Sequence, residues 1–168
     1  MKKIIIFMLL ASMLAGSMVA LQNKQLQDGL YLVDEVLYTS NVTPQGNQMP
    51  VHFNKNFIEN VPGGSWGLLI NTADFVPLLL EAEPLLVSQK DAKTKLQLTF
   101  SRMTAAKLES FTGKNVMKEA AMIVNGEVIT MHKIREAIRG GKMEITGSSD
   151  KAYQGISVVL KRNVVKGK

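Results

Sequence analysis

The dipeptide Asn125-Gly126 constrains the fold more tightly than any other feature of the sequence, because short apolar runs flank it on both sides. A two-residue type I′ turn needs a positive φ angle at both central positions, and Asn followed by Gly adopts that geometry most readily. Residues 119–130 are therefore predicted to form a β-hairpin. A helix that continued through this dipeptide would contradict the prediction.

Two further segments carry the alternation of a strand with one buried face. Residues 95–101 alternate strictly between apolar and polar side chains, and a period of two is typical of a half-buried strand. Residues 142–146 return to this pattern, with Met143 and Ile145 directed inward. In the first segment the inward positions are Leu96, Leu98 and Phe100, and the outward positions are Lys95, Gln97 and Thr99.

Helical spacing predicts a helix on each side of the hairpin. Thr104 stands at an N-cap position, where its hydroxyl can accept a hydrogen bond from a backbone N–H, and Gly113 supplies a stop. After the hairpin, Thr130 is predicted to cap a helix over residues 131–139 that ends at Gly140-Gly141. The buried stripes are Ala105, Leu108 and Phe111 in the first helix and Ile134, Ala137 and Ile138 in the second.

A last helix is predicted after Ser149, although residues 156–159, three of which are β-branched, also suit a terminal strand. From residue 95 the predicted order is then strand, helix, strand, strand, helix, strand, with one further element. This β-α-β-β-α-β order is the split βαβ plan of ferredoxin-like sheets. The predicted fold class is therefore α+β, with an antiparallel-rich sheet in the C-terminal two-thirds. The apolar stripe of the last helix consists of Ala152, Ile156, Val159 and Leu160.

The N-terminal part of the chain is predicted to contain strands and one loop. The loop covers residues 40–48, where Ser, Asn, Pro and Gly collect. Whether these strands extend the C-terminal sheet or form a separate lobe stays open, but no linker-like stretch precedes Asp74. We therefore expect one domain over residues 22–168, with N-terminal strands at 22–74 and the α+β region at 75–162. The predicted strands cover residues 29–39, 49–54 and 65–72.

The first 20 residues have the order of a secretory signal peptide: two lysines, a short apolar core and then small residues. Cleavage is expected after Ser17 or after Ala20, with export to the periplasm or cell envelope. An uncleaved anchor is the alternative, because residues 4–21 approach the length of a membrane-spanning helix. Leu14-Ala15-Gly16-Ser17 also resembles a bacterial lipoprotein box with Ser17 in place of the cysteine. Membrane attachment is expected only if the signal is retained or if Ser17 replaces a natural, lipidated cysteine.

The charge and the cysteine content restrict the possible partners and stabilising devices. Removal of residues 1–20, which contain two lysines and no acidic residue, lowers the formal net charge from +6 to +4. This charge is scattered, and export separates the protein from nucleic acid, so nucleic acid is not an expected partner. The sequence contains no cysteine, so the exported domain must be stabilised by its core rather than by disulfides.

No catalytic, cofactor-binding or metal-binding residue is predicted. His52 and His132 are the only histidines in the sequence, and neither belongs to a His-x-x-x-His or Glu-x-x-His pair of the kind that binds zinc. Ser65 lies among glycines but lacks the Gly-x-Ser-x-Gly elbow of hydrolases. The adjacent acids Asp34 and Glu35 are typical of an exposed surface rather than of paired catalytic carboxylates. The sequence therefore favours a protein that is not an enzyme.

Residues 95–147 resemble the head subdomain in the first periplasmic domain of SecD and SecDF, auxiliary subunits of bacterial protein export. The resemblance covers roughly residues 75–162. The sequence departs from the family pattern after the hairpin, where residues 129–132 replace a Ser-Ala-Pro-like segment. In addition, the family's membrane-embedded part is not expected in the mature chain. The matching positions are Phe100, Phe111-Thr112, Gly113-Lys114, Ala121-Met122-Ile123-Val124, Asn125-Gly126, Ile134, Ile138, Gly140-Gly141 and Ile145-Thr146-Gly147.

The resemblance implies a non-enzymatic exported protein that contacts protein or unfolded polypeptide and is linked to protein export. Two routes to such contacts are predicted: an exposed strand edge, and methionines, which line adaptable surfaces but more often fill gaps in a core. The alternative function is a module that binds a small ligand or envelope component in a pocket between the sheet and the loop at residues 40–48. The methionines concerned are Met103, Met117, Met122, Met131 and Met143.

Overall fold

The computed structural model describes residues 26–58, 61, 63–88, 94–146 and 149–165. The predicted signal peptide with Ser17, Gly147 of the predicted resemblance and the last three residues of the chain lie outside these ranges. The described strands are β1 (Gly29–Leu37), β2 (Gln48–His52), β3 (Gly67–Pro77), β4 (Leu85–Ser88), β5 (Thr94–Thr99), β6 (Glu119–Val124), β7 (Glu127–Lys133) and β8 (Lys142–Ile145). The α-helices are α1 (Arg102–Lys114) and α2 (Asp150–Leu160), and a 3-10 turn follows at Lys161–Asn163.

The strands form two antiparallel sheets. The five-stranded sheet has the order β2-β3-β1-β6-β7, and the three-stranded sheet has the order β4-β5-β8. Strand β1 pairs directly with β6, with Tyr31 opposite Ala121. The N-terminal strands therefore share a sheet with the hairpin, whereas β5 and β8 belong to a second sheet. The predicted α+β class with antiparallel sheets is confirmed.

The five-stranded sheet curls until its two outer strands meet. Phe53, directly after β2, forms a parallel bridge with Val128 in β7, and the N–H of Asn54 donates to the carbonyl oxygen of Val128 at 2.9 Å. The side-chain amide of Asn54 also donates to Glu127 at 2.6 Å. Curling encloses an inner apolar cluster of Tyr31, Val51, Phe53, Leu68, Ile70, Ala121, Ile123 and Val128.

The hairpin between β6 and β7 has the predicted geometry. Asn125 has a φ of 55° and Gly126 a φ of 77°, as a type I′ turn requires. The ladder beyond the turn contains a register shift between Met122 and Ile123, which pairs Met122 with Thr130 and Ile123 with Val128. Ile129 is the extra residue of this β-bulge. The predicted hairpin is confirmed, and the bulge is an addition to it.

The helix predicted for residues 131–139 is wrong. Strand β7 continues to Lys133, so Thr130 lies inside a strand, where Met131 pairs with Ala121 and His132 with Ala120. The backbone N–H of Ile134 then donates to Lys118 at 2.8 Å and extends the pairing. A ladder of hydrogen bonds to β6 satisfies the backbone, and helical spacing alone cannot provide that long-range partner. From β5 onward the chain is strand, helix, then three strands and a second helix.

The ends of the remaining helices agree with the sequence to different degrees. Helix α1 begins at Arg102 with Ser101 at its N-cap position, so the predicted start at Thr104 is too late. The predicted stop at Gly113 lies inside the helix, which ends one residue later at Lys114. Helix α2 is confirmed at the position of the predicted last helix, and the terminal strand is excluded. The hydroxyl of Ser149 caps it by accepting from the N–H of Ala152 at 3.3 Å.

A second apolar cluster fills the space between the two sheets and the helices. It contains the inward positions predicted for residues 95–101, together with Leu108 and Phe111 of α1 and Ile156 and Leu160 of α2. Strand β5 and helices α1 and α2 therefore share this cluster with residues on the outer face of the curled sheet. Its other buried members are Leu30, Val76, Leu78, Leu80, Met122, Val124, Ile129, Ile134, Ile145 and Tyr153.

Candidate functional site

A cavity of about 450 Å³ opens between the C-terminal half of α1, the β6–β7 ladder and strand β8. Its floor is apolar, and its volume lies in the range of sites that hold small molecules. The irregular segment at residues 134–141, which connects β7 to β8, forms one wall. The main apolar lining residues are Phe111, Met122, Ile134, Ile138, Met143 and Ile145.

The position of this wall is fixed by one threonine of α1. The hydroxyl of Thr112 donates to the carbonyl oxygen of Leu108 at 2.7 Å and accepts from the backbone N–H of Ile138 at 2.8 Å. The irregular segment is thereby attached to the helix, although it has no regular structure of its own. Ile134 is buried and Ile138 half-buried, so both point inward, as the sequence predicted on the assumption of a helix.

Glycine at position 141 allows the chain to turn into β8 close to α1. Its φ is +68°, and a Cβ at this position would lie 2.8 Å from the Cβ of Ala105. Its carbonyl oxygen accepts from the N–H of Phe100 at 2.8 Å, which aligns the start of β8 with the end of β5. A side chain at position 141 would push β8 away from the helix and change the shape of the cavity.

The β-bulge at Ile129 determines which polar groups face the cavity. It places Thr130 opposite Met122 and His132 opposite Ala120, and all four of these residues line the cavity. Thr130 is only 4% exposed, and its hydroxyl has no hydrogen-bond partner among the described residues. Bulges commonly redirect side chains in this way beside functional sites.

His132 lies towards the mouth of the cavity. His132 is an exposed residue, but the protein around its ring removes enough water to lower its pKa below the ordinary 6.5. The neutral imidazole is therefore the dominant form at pH 7. As a neutral ring, His132 can donate one hydrogen bond and accept another, so it suits recognition of an amide group.

Charged side chains surround the mouth of the cavity, and most of them are basic. Glu144 is paired with Lys95 at 2.8 Å, and Arg139 lies 3.5 Å from Glu109. The other charged lining residues are Lys133, Arg135, Glu136 and Lys142. No ion pair joins these four to another described residue.

Strand β8 contributes a free edge to the same site. It is the last strand of the three-stranded sheet, and among the described residues no strand pairs with its outer side. All four of its residues line the cavity. The register of β8 with β5 sets its two faces: Met143 lies opposite the buried Leu98, and Lys142 lies opposite Thr99 on the polar face. An edge with unpaired backbone groups thus runs beside an apolar depression.

The sequence-derived candidates for catalysis and metal binding are not brought together. His52 packs against the indole of Trp66, with ring centroids 4.6 Å apart, whereas His132 lines the cavity. Asp34 accepts a hydrogen bond from the side chain of Gln48 at 2.9 Å, a contact on the exposed surface. Within residues 26–165, excluding the undescribed gaps, no group of three or more His, Asp or Glu side chains could hold a metal ion.

The methionines divide between core and surface. Met122 is buried and Met143 half-buried, and both line the cavity, whereas Met103 on α1 is 81% exposed. Gap filling in the core is therefore observed for Met122, whereas a role of methionine in binding stays a prediction. The sequence pattern predicts a helix over residues 131–139 and therefore gives no indication of the cavity. It does not involve residues 40–48, where a ligand pocket was placed as an alternative.

A family model described as "SecDF, P1 head subdomain" matches residues 79–165, which are 87 of the 168 residues. The chain belongs to this family. The resemblance predicted for residues 75–162 is confirmed, and the cavity lies within the matched region apart from Leu30. None of the helices in the described residues is long and apolar enough to cross a membrane.

Relatives of this SecDF head family member are protein translocase subunits. The chain is 35% identical over 98 residues to protein translocase subunit SecDF of Thermus thermophilus, covering 55% of this chain and 13% of that protein. It is 34% identical over 65 residues to protein translocase subunit SecD of Acidaminococcus fermentans, covering 38% of this chain and 16% of that protein. The chain therefore spans less than a fifth of the length of these relatives.

A solved structure titled "Structure and function of a membrane component SecDF that enhances protein export" is also similar. The match has 25% sequence identity and a TM-score of 0.47, and it covers 82% of this chain and 63% of that chain. The match of the family model to residues 79–165 makes the protein a SecD/SecDF head-like protein related to protein export.

Proposed function

We propose that this SecDF head family member is a non-enzymatic exported protein that binds extended polypeptide at the edge of β8. One observation supports this function above the others: the free edge of β8 runs beside an apolar cavity. The family relationship to protein translocase subunits agrees with a polypeptide as partner. In this proposal, residues 1–20 direct export to the periplasm or cell envelope.

An extended polypeptide suits this site because a strand edge and a cavity recognise different parts of it. The unpaired N–H and C=O groups of an edge strand form hydrogen bonds with the main chain of any extended segment. Side chains on a paired strand point alternately to the two faces of the sheet, so every second one would face the side of Met143. Main-chain pairing then provides affinity for many sequences, while the cavity prefers segments with an apolar side chain.

Binding can be measured with a fluorescently labelled polypeptide that lacks stable structure, by the change in anisotropy as the protein is added. Hydrogen exchange at the backbone amides of residues 142–145 reports the location, since an edge that becomes paired protects amides that were open. We expect saturable binding together with slower exchange in β8. Absence of binding, or binding that leaves exchange in β8 unchanged, would contradict the function.

Two methionines form a matched pair of test positions. Met143→Glu places a charge in the cavity and should weaken binding at least roughly tenfold, since burying an unpaired carboxylate is costly. Met103→Glu makes the same chemical change on a side chain that is 81% exposed, and should leave affinity unchanged. Thermal unfolding of both variants establishes that Met143→Glu remains folded at the temperature of the assay.

A second candidate function is binding of a small apolar ligand or envelope component in the same cavity. Its volume of about 450 Å³ and its apolar floor favour this alternative. A thermal-shift screen distinguishes the two functions, because a ligand stabilises the folded state that it binds. A concentration-dependent shift with a small amphiphile, combined with no binding of unfolded polypeptide, would favour the second function.

A further inference from the structure

The charges at the mouth of the cavity are unbalanced. After the pairs Lys95–Glu144 and Arg139–Glu109, three cations remain, and Glu136 is the one carboxylate left among the described lining residues. The three cations are Lys133, Arg135 and Lys142, and their side chains are exposed. Exposed charges within a Debye length of about 8 Å attract an oppositely charged ligand and repel one of their own sign.

The positions of these charges relative to β8 are set by the pleat of the strand. Met143 and Ile145 lie opposite the buried Leu98 and Leu96, whereas Lys142 lies opposite Thr99 on the polar face. A segment that pairs with β8 would therefore present one set of alternate side chains to the cavity. The intervening side chains would lie on the face of Lys142 and of Glu144, whose carboxylate is paired with Lys95.

Thr130 is a buried polar residue that lines the cavity. Its hydroxyl lacks a partner among the described residues. A buried hydroxyl without a hydrogen bond costs free energy, and a bound group that supplies the bond removes the cost. A peptide carbonyl or a carboxylate oxygen can accept from this hydroxyl.

We propose that the site selects extended segments in which apolar and acidic side chains alternate. The apolar side chain enters the cavity over Met143 and Met122, and the neighbouring carboxylate lies beside Lys142. Lys133 and Arg135 add to the positive potential at the mouth. This selectivity rests on the proposed polypeptide binding and goes beyond it, because pairing with a strand edge alone would not distinguish acidic from basic segments.

The test uses three short peptides of equal length with blocked ends, in which leucine alternates with glutamate, leucine with lysine, or serine with glutamate. We expect the leucine–glutamate peptide to bind roughly fivefold to tenfold more tightly than the leucine–lysine peptide at low salt, the size expected of one or two exposed ion pairs. Added salt should reduce this difference. The serine–glutamate peptide should bind weakly, because it lacks an apolar side chain for the cavity.

Charge reversal at the site supplies the control. Lys142→Glu combined with Arg135→Glu should remove or invert the preference for the acidic peptide. Lys151→Glu, which makes the same kind of charge change on the exposed surface of α2, should leave the preference intact.

The outcomes separate the selectivity from the function on which it rests. Equal binding of the two leucine peptides overturns the selectivity and leaves the edge as a binding site. Tight binding of the serine–glutamate peptide overturns the role of the cavity. Failure of all three peptides, together with failure of the labelled unfolded polypeptide, overturns the proposed function itself.

Discussion

The carboxylate of Asp28 accepts a hydrogen bond from the backbone N–H of Asn125 at 2.9 Å, although 97 positions separate the two residues. The same carboxylate accepts from the guanidinium of Arg162 at 2.7 Å and from the side-chain amide of Asn163 at 3.0 Å. One acidic side chain directly before β1 thus connects the hairpin turn to the C-terminal 3-10 turn. The hairpin and the C-terminal helix α2, which lie next to these two turns, both pack around the apolar cluster between the two sheets.

Replacing Asp28 with Ala should lower the free energy of unfolding by about 2 kcal/mol, since it removes three hydrogen bonds, one of them to a charged partner. Urea denaturation of the purified protein measures this change. Asp34→Ala is the matched control, because Asp34 makes an exposed contact with Gln48, and its effect should stay within about 0.5 kcal/mol. Equal effects of the two substitutions would show that the Asp28 network does not stabilise the fold.

The same carboxylate predicts a pH dependence of stability. Partial burial alone would raise the pKa of Asp28, but the hydrogen bonds from Asn163, Asn125 and Arg162 together lower it below the ordinary 3.8. A carboxyl group whose pKa is lower in the folded state stabilises the fold above its unfolded pKa, and this contribution is lost as the pH falls through the folded pKa. The difference in unfolding free energy between the native protein and Asp28→Asn should therefore shrink below about pH 3.8. A difference that stays constant down to pH 2 would contradict the assignment.

The hairpin turn can be tested at a single glycine. Gly126 has a φ of +77° and open space around the position of a Cβ, so Gly126→Ala should lower the free energy of unfolding by about 1 kcal/mol through backbone strain alone. Gly63 has equally open space without a positive φ in the left-handed region, which makes Gly63→Ala the matched control. Urea denaturation of both variants should show a loss at position 126 and little change at position 63.

Features set by local backbone chemistry could be predicted from the sequence. The turn at Asn125-Gly126 depends on two residues, and the cap at Ser149 depends on a hydroxyl within reach of the N–H three residues later. The alternation of apolar and polar side chains in β5 is likewise visible within a few residues of the sequence, and its apolar positions Leu96 and Leu98 are fully buried. In each case the decisive partner lies within a few positions of the residue concerned.

Features set by pairing between distant segments could not be predicted in the same way. Residues 131–139 have the spacing of a helix, but β6 offers residues 131–133 a ladder of hydrogen bonds, and that partner is not visible in the local pattern. The short strand β4, the division into two sheets and the path of residues 134–141 depend on such long-range contacts as well. The cavity forms only because this path exists, so no local signal could have indicated it.

Two threonines of the cavity should respond in opposite directions to the same substitution. Thr130→Val replaces a buried hydroxyl without a partner by a methyl group of similar shape, and should raise the free energy of unfolding by about 1 kcal/mol. Thr112→Val removes a hydroxyl that donates to Leu108 and accepts from Ile138, and should lower it by about 2 kcal/mol. Urea denaturation measures both changes.

If the hydroxyl of Thr130 forms a hydrogen bond with a bound peptide, the more stable Thr130→Val protein should also bind the leucine–glutamate peptide more weakly. A variant that gained stability and kept full affinity would show that the hydroxyl has no part in recognition. A variant that lost stability would show instead that Thr130 has a partner in the folded protein, because only a satisfied hydroxyl stabilises the site that contains it.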